Sequence, residues 1–173
     1  MVLLQLCWSS SSCFVGFEMD KPKPESIALG DEMFYLRGKI ITGYAQVEFL
    51  LADISVKLNM NFPYLLKDRI KEAKKIVERP GYEKYRAELF EICDRLVEYD
   101  DLRHFMAHGL VMITTMGPAH CLELRRYQRK AEGKFKQLFL YSNLDNLRND
   151  AAEVCAYSSR AVGLSERSTS NKG

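Results

Sequence analysis

Two histidines and an arginine lie close together in the segment Arg103–His108 (RHFMAH), which is followed by Gly109. Histidine titrates near neutral pH and can accept or donate a proton, whereas arginine stays charged and offers a planar fork of N–H donors to an anion. His104 and His108 are four residues apart, so they share one face of a helix. These residue types, at this spacing, are suited to proton transfer beside a bound phosphate.

The segment ends a long helical pattern in which apolar residues recur at alternating steps of three and four. This seam consists of Tyr82, Tyr85, Leu89, Ile92, Leu96, Tyr99, position 103 and Met106. Arg103 is its charged member. Because an unpaired buried charge is very costly, we expect Arg103 to be paired, hydrated or in contact with an anion. Gly109 predicts that the helix ends directly after the motif.

Residues 101–109 (DLRHFMAHG) resemble the signature of the HEPN domains, in which an arginine is followed by a polar residue, three further residues and a histidine. His104 occupies the polar position. The order of helices from about residue 28 to residue 163 is also similar to that of the family. The resemblance implies a metal-independent endoribonuclease without a cofactor, in which His108 transfers the proton, Arg103 binds the phosphate and His104 orients or supports them.

The nucleases of this family assemble their site across a dimer of helical bundles, and they often serve as toxins paired with antitoxins or in defence against phage. The resemblance therefore implies RNA as substrate, a homodimer, and an antitoxin protein as a partner. Arg103 and His108 are five residues apart, which places them about 140° apart around a helix. This divergence also favours a site that a second copy of the motif completes.

Other functions remain open for the same residues. The first alternative is a non-catalytic HEPN-like domain that binds RNA, a nucleotide or a partner protein through the same pocket. The second is a metal site formed by Asp100, His104 and His108, with His120 as a further ligand. Two histidines four residues apart suit zinc, but the spacing does not fix the remaining ligands.

A purely structural role is the third alternative, and it depends on two acidic residues. Asp100 lies one helical turn before His104, and Glu48 lies in the apolar stretch 47–52 of the first predicted helix. Either carboxylate can form an ion pair with Arg103, and Glu48 can equally be a solvated residue at the edge of its helix. We predict both as supporting residues of the site.

The rest of the chain predicts a mainly α-helical fold, an up-and-down bundle of four to five helices. The predicted helices cover residues 31–59, 64–79, about 82–108, and a final segment that begins near residue 142. The first helix has a regular apolar seam, which consists of Met33, Leu36, Ile40, Tyr44, Val47, Leu51, Ile54 and Leu58. A seam of this length without a flanking charge ladder favours a helix of a bundle over a coiled coil.

Between the motif and the last helix the helical period ends, and residues 110–115, 121–129 and 134–141 read as extended runs separated by turn residues at 116–118 and 131–133. This pattern predicts a small antiparallel β-hairpin or three-stranded meander inserted between helices. The basic residues of this insert are Arg125, Arg126, Arg129, Lys130, Lys134 and Lys136, with Tyr127 and Phe135 between them. Basic and aromatic side chains together suit single-stranded RNA, although they also suit the soluble tip of a hairpin.

Length and composition fit one globular domain, since the chain has 173 residues, 47% of them hydrophobic and 28% charged, with a net charge of +2. Five scattered cysteines without a C-x-x-C pair predict reduced thiols and a cytoplasmic protein. Residues 1–27 predict a disordered leader or a mis-started N-terminus, because their apolar run is too short to span a membrane. Residues 164–173 predict a disordered tail, so the domain is expected over residues 28–163.

Overall fold

The computed structural model describes residues 24–116 and 119–170 of the chain. The predicted class is confirmed: the protein is mainly helical, with five helices and a three-stranded antiparallel sheet inserted before the last one. The elements are α1 (Pro24–Lys57), α2 (Leu66–Lys74), α3 (Arg86–Glu98), α4 (Asp100–His108), β1 (Leu110–Met116), β2 (Ala119–Arg129), β3 (Phe135–Asn143) and α5 (Leu144–Ser170). None of the described helices is long and apolar enough to cross a membrane.

Helices α1 and α5 pack along each other and form the centre of the molecule. The predicted seam of α1 is buried from Met33 to Ile54, as its spacing requires. Gly43 lies where the two helices approach most closely, because a Cβ atom at this position would lie 2.8 Å from Cγ1 of Val154. One end of α1 packs with α2, α3 and α5, and the other end packs with α4, the sheet and the start of α5.

The predicted third helix is divided at Tyr99, where the backbone has φ −89° and ψ 2°. The ring of Tyr99 stacks on Tyr157 of α5 with a centroid distance of 6.0 Å, and its hydroxyl donates to Oε2 of Glu153 at 2.6 Å. These tertiary contacts fix the side chain at the point where α3 ends and α4 begins. The motif therefore lies on a short helix of its own, which α5 helps to position.

Several predicted boundaries differ from the structure. Of the predicted leader, residues 1–23 lie outside the described residues, whereas residues 24–27 belong to α1. The second predicted helix is observed as α2 followed by the 3₁₀ turn Lys75–Glu78. Residues 164–170 of the predicted tail continue α5, because Leu164 is buried against the core and extends the inward stripe of the helix.

The sheet follows α4 directly and has the order β1-β2-β3. Leu122 and Leu124 of β2 are fully buried, so even-numbered residues of this strand face the helices and odd-numbered residues face outward. Gly109 ends α4 in an extended rather than a left-handed conformation. Glycine is required there by space, since a Cβ atom would lie 2.3 Å from the carbonyl oxygen of Phe105 and 3.2 Å from that of Arg125.

Candidate functional site

Helix α4 presents the predicted site residues on its two flanks and at its last turn. Phe105 and Met106 anchor the helix in the core, with 6% and 0% of their surfaces exposed. Arg103 and His104 are half-buried beside this anchor, and His108 is exposed as the last residue of the helix. The amphipathic pattern of the motif therefore places its apolar residues inward and its three chemical groups at the surface.

The carboxylate of Asp100 connects three groups of the site. Its Oδ1 accepts a hydrogen bond from the Tyr44 hydroxyl at 3.0 Å, and it lies 3.4 Å from Nη2 of Arg103 and 3.5 Å from Nε2 of His104. Tyr44 is fully buried, and burial, followed by the nearby charge of Asp100, raises the pKa of its phenol far above the usual value. Tyr44 therefore remains a hydrogen-bond donor and holds the carboxylate that Arg103 and His104 share.

The Arg103 guanidinium is held more loosely than its burial would suggest. It stacks over the Tyr44 ring at 5.0 Å from the centroid, and its contact with Asp100 is at the long end of the hydrogen-bond range. Its Nε is buried and has no hydrogen-bond partner among the described residues. An unsatisfied buried donor is costly, so an anion or a water molecule that reaches Nε would be bound favourably.

The two histidines of the motif have different surroundings. Burial, followed by the charge of Arg103, lowers the pKa of His104, although Asp100 opposes this effect. His104 is therefore neutral at neutral pH and can accept a proton. The ring of His108 lies on the same flank, with its centroid 6.0 Å from that of His104. The exposed position of His108 leaves it accessible to a ligand in solution.

Two further arginines contact α4. The guanidinium of Arg126 lies 4.9 Å from the Phe105 ring centroid and donates to Oδ1 of Asp101 at 2.9 Å, while its buried Nε has no partner among the described residues. Arg37 of α1 donates through Nη2 to the Ala107 carbonyl at 3.4 Å, and burial lowers its pKa. The motif is thus surrounded by cations from α1, α4 and β2.

Local spacing in the sequence relates both of these arginines to buried residues of their own elements. Arg126 was predicted to contact RNA with the rest of the basic insert, but it is on the same side of β2 as Leu122 and Leu124, two and four residues before it. Arg37 was not predicted as a site residue. It lies seven residues before Tyr44, two turns along the same face of α1, so the position of Tyr44 would have identified it.

Glu48 does not pair with Arg103 or with the histidines. Its carboxylate accepts a hydrogen bond from Nη1 of Arg69, which α2 supplies. The reason is its place on α1, one turn beyond Tyr44 toward the end that packs against α2. Of the two predicted supporting acids, only Asp100 belongs to the cluster around the motif.

The metal alternative has no support in the arrangement of ligands. Among residues 24–116 and 119–170, no group of three or more His, Cys, Asp or Glu side chains could hold a metal ion. The structural alternative is supported in part, since Arg103 and Asp100 do form an ion pair at 3.4 Å. In this pair, Nε of Arg103 has no hydrogen-bond partner among the described residues.

Most of the remaining basic residues of the insert lie on the outward side of the sheet or at its turn. Arg125 faces outward and donates to Oε1 of Glu123 at 2.6 Å. The other four, which are all exposed, are Arg129, Lys130, Lys134 and Lys136. The basic insert is therefore divided between the two faces of the sheet: Arg126 and Lys136 share the side of the helices, and Arg125 and Arg129 share the outward side.

Comparisons of the chain with protein-family models, with curated proteins and with solved structures gave no match. Its function must therefore be inferred from the side chains around α4 and on the sheet.

Proposed function

We propose that the protein is a HEPN-like, metal-independent endoribonuclease and that α4 carries its active site. The observation that supports this proposal is the shared carboxylate of Asp100. It holds Arg103 and His104 side by side, while the buried Nε of Arg103 has no partner among the described residues. A half-buried guanidinium beside two histidines is suited to a phosphodiester that undergoes proton transfer.

In the proposed reaction, His108 accepts the proton of the RNA 2′-hydroxyl while the 2′-oxygen forms a bond to phosphorus. The bond from phosphorus to the 5′-oxygen of the next nucleotide breaks, and that oxygen receives the proton. Arg103 binds the phosphate oxygens as negative charge develops on them. His104, neutral and fixed by Asp100, orients the phosphate or His108. The products are a 2′,3′-cyclic phosphate and a free 5′-hydroxyl.

A cleavage assay on the purified full chain tests this reaction. We expect single-stranded RNA to be cut with 2′,3′-cyclic phosphate ends, and we expect a single 2′-deoxyribose to block cleavage at its own position only. A chelator should leave the rate unchanged, because no step of the proposed reaction uses a metal ion. Cleavage that a chelator abolishes and zinc restores would favour the metal alternative and contradict the proposal.

A binding domain without cleavage is the second candidate, and the ion pair between Arg103 and Asp100 favours it. The pair reduces the positive charge that Arg103 offers to a reacting phosphate. In that case the wild-type protein would bind RNA or a nucleotide, Arg103→Ala would weaken the binding, and no RNA would be cut. The same assay, with binding and cleavage measured together, separates the two candidates.

We also propose a homodimer, and the outer face of α1 is the surface that fits it. This face carries a second repeat of three- and four-residue steps that contains no charged residue. It consists of Tyr35, Gly38, Thr42, Ala45, Phe49, Ala52 and Val56. Tyr35, Phe49 and Val56 are 64%, 69% and 71% exposed. An uncharged helical seam of this kind is suited to packing against the same seam of a second copy.

The exposed aromatic residues on this face supply part of the area that a stable dimer needs. With Phe34, which is 43% exposed, the aromatic residues Tyr35 and Phe49 offer on the order of 350 Å² per protomer. This is close to half of the ~800 Å² per partner that a standard interface buries. Tyr44 and Phe49 are about 140° apart around α1, so a dimer through this face differs from the one that the resemblance implies, in which the two motifs meet.

Light scattering tests the dimer. The wild-type chain should have twice the protomer mass of 20.0 kDa, and Phe49→Asp should give a monomer. Val97→Asp is the matched control, because Val97 is 52% exposed on α3. A wild-type monomer at micromolar concentration would contradict the dimer, and a Phe49→Asp dimer would exclude this face.

A further inference from the structure

The outward face of the sheet carries an unusual number of exposed aromatic side chains. Odd-numbered residues of β2 and β3 share this face, since the register pairs Arg125 with Phe139 and Arg129 with Phe135. The aromatic residues on it are Tyr127, Phe135, Phe139 and Tyr141, which are 70%, 67%, 48% and 64% exposed. Exposed apolar side chains that form a contiguous group often mark a binding site, whereas single scattered ones do not.

Two of the aromatic rings are neighbours along β3. Positions two residues apart on one strand are about 6.6–6.8 Å apart, which is the case for Phe139 and Tyr141, whereas Phe135 lies four residues before Phe139. The rings of Phe139 and Tyr141 are nearly parallel, with an interplanar angle of 5° and a centroid distance of 6.4 Å. Tyr127 lies on the neighbouring strand, opposite Gln137 and between these rings and Phe135. The face therefore offers separate flat surfaces to successive flat groups of a ligand.

The charge of the same region is positive. The charged residues of this face and of the turn beside it are Arg125, Arg129, Lys130 and Lys134 with Glu123 and Glu132, a net charge of +2. Arg125 lies 5.5 Å from the centroid of the Phe139 ring and is held there by Glu123. Arg129 is opposite Phe135 in the register. A ligand that matches this face must carry both flat apolar groups and repeated negative charge.

Single-stranded nucleic acid has both properties, because its unpaired bases stack on aromatic rings and its phosphates pair with arginine and lysine. A duplex does not fit, since its bases are already stacked and hidden from the rings. The apolar surface of a protein partner would match the rings but would leave the surrounding positive charge without a counterpart.

The face also leads toward the motif. Leu110 of β1 is 45% exposed and lies opposite Arg125, so Leu110, Arg125 and Phe139 form one row across the sheet. Leu110 is two residues after His108, a distance of about 7 Å along extended chain. A strand of RNA on the outward face can therefore reach the exposed end of α4.

We propose that the outward face of the sheet is a base-stacking surface that binds single-stranded RNA and leads it to α4. This inference rests on the proposed ribonuclease function and names its substrate class as single-stranded. It also assigns binding to Tyr127, Phe135, Phe139 and Tyr141, with Arg125 and Arg129 as phosphate contacts.

Fluorescence anisotropy with the full chain and a labelled 12-nucleotide 2′-O-methyl RNA tests the surface, because this probe can bind but lacks the attacking hydroxyl. Replacing a stacking ring by alanine should weaken binding roughly 5- to 150-fold. We expect this loss for Phe139→Ala and for Tyr141→Ala. Phe139→Leu should lose nearly as much, because leucine keeps the apolar surface but not the ring. Tyr64→Ala is the matched control, since Tyr64 is 90% exposed outside the sheet.

The outcomes separate this inference from the proposed reaction. Wild-type affinity in Phe139→Ala and Tyr141→Ala, with circular dichroism unchanged, would overturn the stacking surface even if RNA were cut normally. Equal affinity for a duplex of the same sequence, or full binding by Phe139→Leu, would overturn it as well. Binding that depends on the rings in a protein that cuts no RNA would support the surface and contradict the ribonuclease.

Discussion

Two arginines of similar burial, Arg69 at the α2 end of the molecule and Arg103 at the α4 end, have contrasting surroundings. Their side chains are 19% and 22% exposed. Arg69 donates to Glu48 and to two backbone carbonyls, one of them that of Pro63 at 2.9 Å from its Nε, and it stacks over Phe62. Arg103 has one long contact with a carboxylate, and its Nε has no partner among the described residues.

The proposed function treats Arg69 as a structural arginine and Arg103 as a functional one, and the difference in their contacts supports this distinction. The donors of Arg69 are used by the protein itself, so its contribution is to the stability of the fold. Arg103 is positioned by Asp100 and by the Tyr44 ring but keeps hydrogen-bonding capacity for a ligand. Burial alone does not separate the two residues, whereas the number of satisfied donors does.

The largest expected effect concerns catalysis. Arg103→Ala and His108→Ala should each lower the rate of RNA cleavage by roughly 10²- to 10⁴-fold, because each removes a group that acts on the reacting phosphate. Arg69→Ala should leave the rate within a few-fold of wild type at a temperature where it is folded. Initial rates on one RNA substrate check the comparison. If Arg69→Ala lost as much activity as Arg103→Ala, the proposed distinction would fail.

The second effect is on stability, where Arg69→Ala should cost more than Arg103→Ala. Arg69→Ala should lower the free energy of unfolding by about 2–3 kcal/mol, since it removes several charge-assisted hydrogen bonds and leaves Glu48 without its partner. Arg103→Ala should cost less, because it removes one long contact and also an unsatisfied buried donor. Urea unfolding of both variants measures this. Arg160→Ala, which breaks an exposed ion pair with Glu91, is the matched control.

Much of this contrast could be anticipated from the sequence, and some of it could not. Helical periodicity predicted the buried seam of α1, and the motif spacing placed Asp100 beside His104. Glu48 and Arg69 are 21 residues apart, and no local period relates them. The loop that carries Pro63 brings the two residues together. The sequence alone therefore could not show that Arg69 is the partner of Glu48, and Arg103 remained a possible partner.

The division of the third helix was beyond the sequence for a similar reason. The apolar steps run through Tyr99 without interruption and predict one continuous helix. At the break, Tyr99 contacts Tyr157 and Glu153, which lie more than 50 residues later in the chain, and no local pattern relates them. By contrast, the alternation that places Arg126 on the inner face is local, and it can be read from Leu122 and Leu124.

The smallest expected effect concerns His104 and pH. Burial and Arg103 lower its pKa in the folded protein, so the unfolded chain binds its proton more tightly. Its contribution to stability is therefore fully present above the usual histidine pKa near 6.5 and is lost as the pH falls through and below that value. The charges that act on it are those of Arg103, Asp100, Arg126 and His108.

We therefore expect His104→Gln, which removes the titrating group but keeps a hydrogen-bond donor for Asp100, to flatten the decline in stability between pH 7.5 and pH 5. Urea unfolding of wild type and variant at several pH values measures the difference. Parallel curves would mean that His104 has the same pKa in the folded and unfolded chain. The half-buried neutral histidine beside Arg103 would then no longer distinguish the α4 end from the α2 end, where Glu48 accepts a hydrogen bond from Arg69.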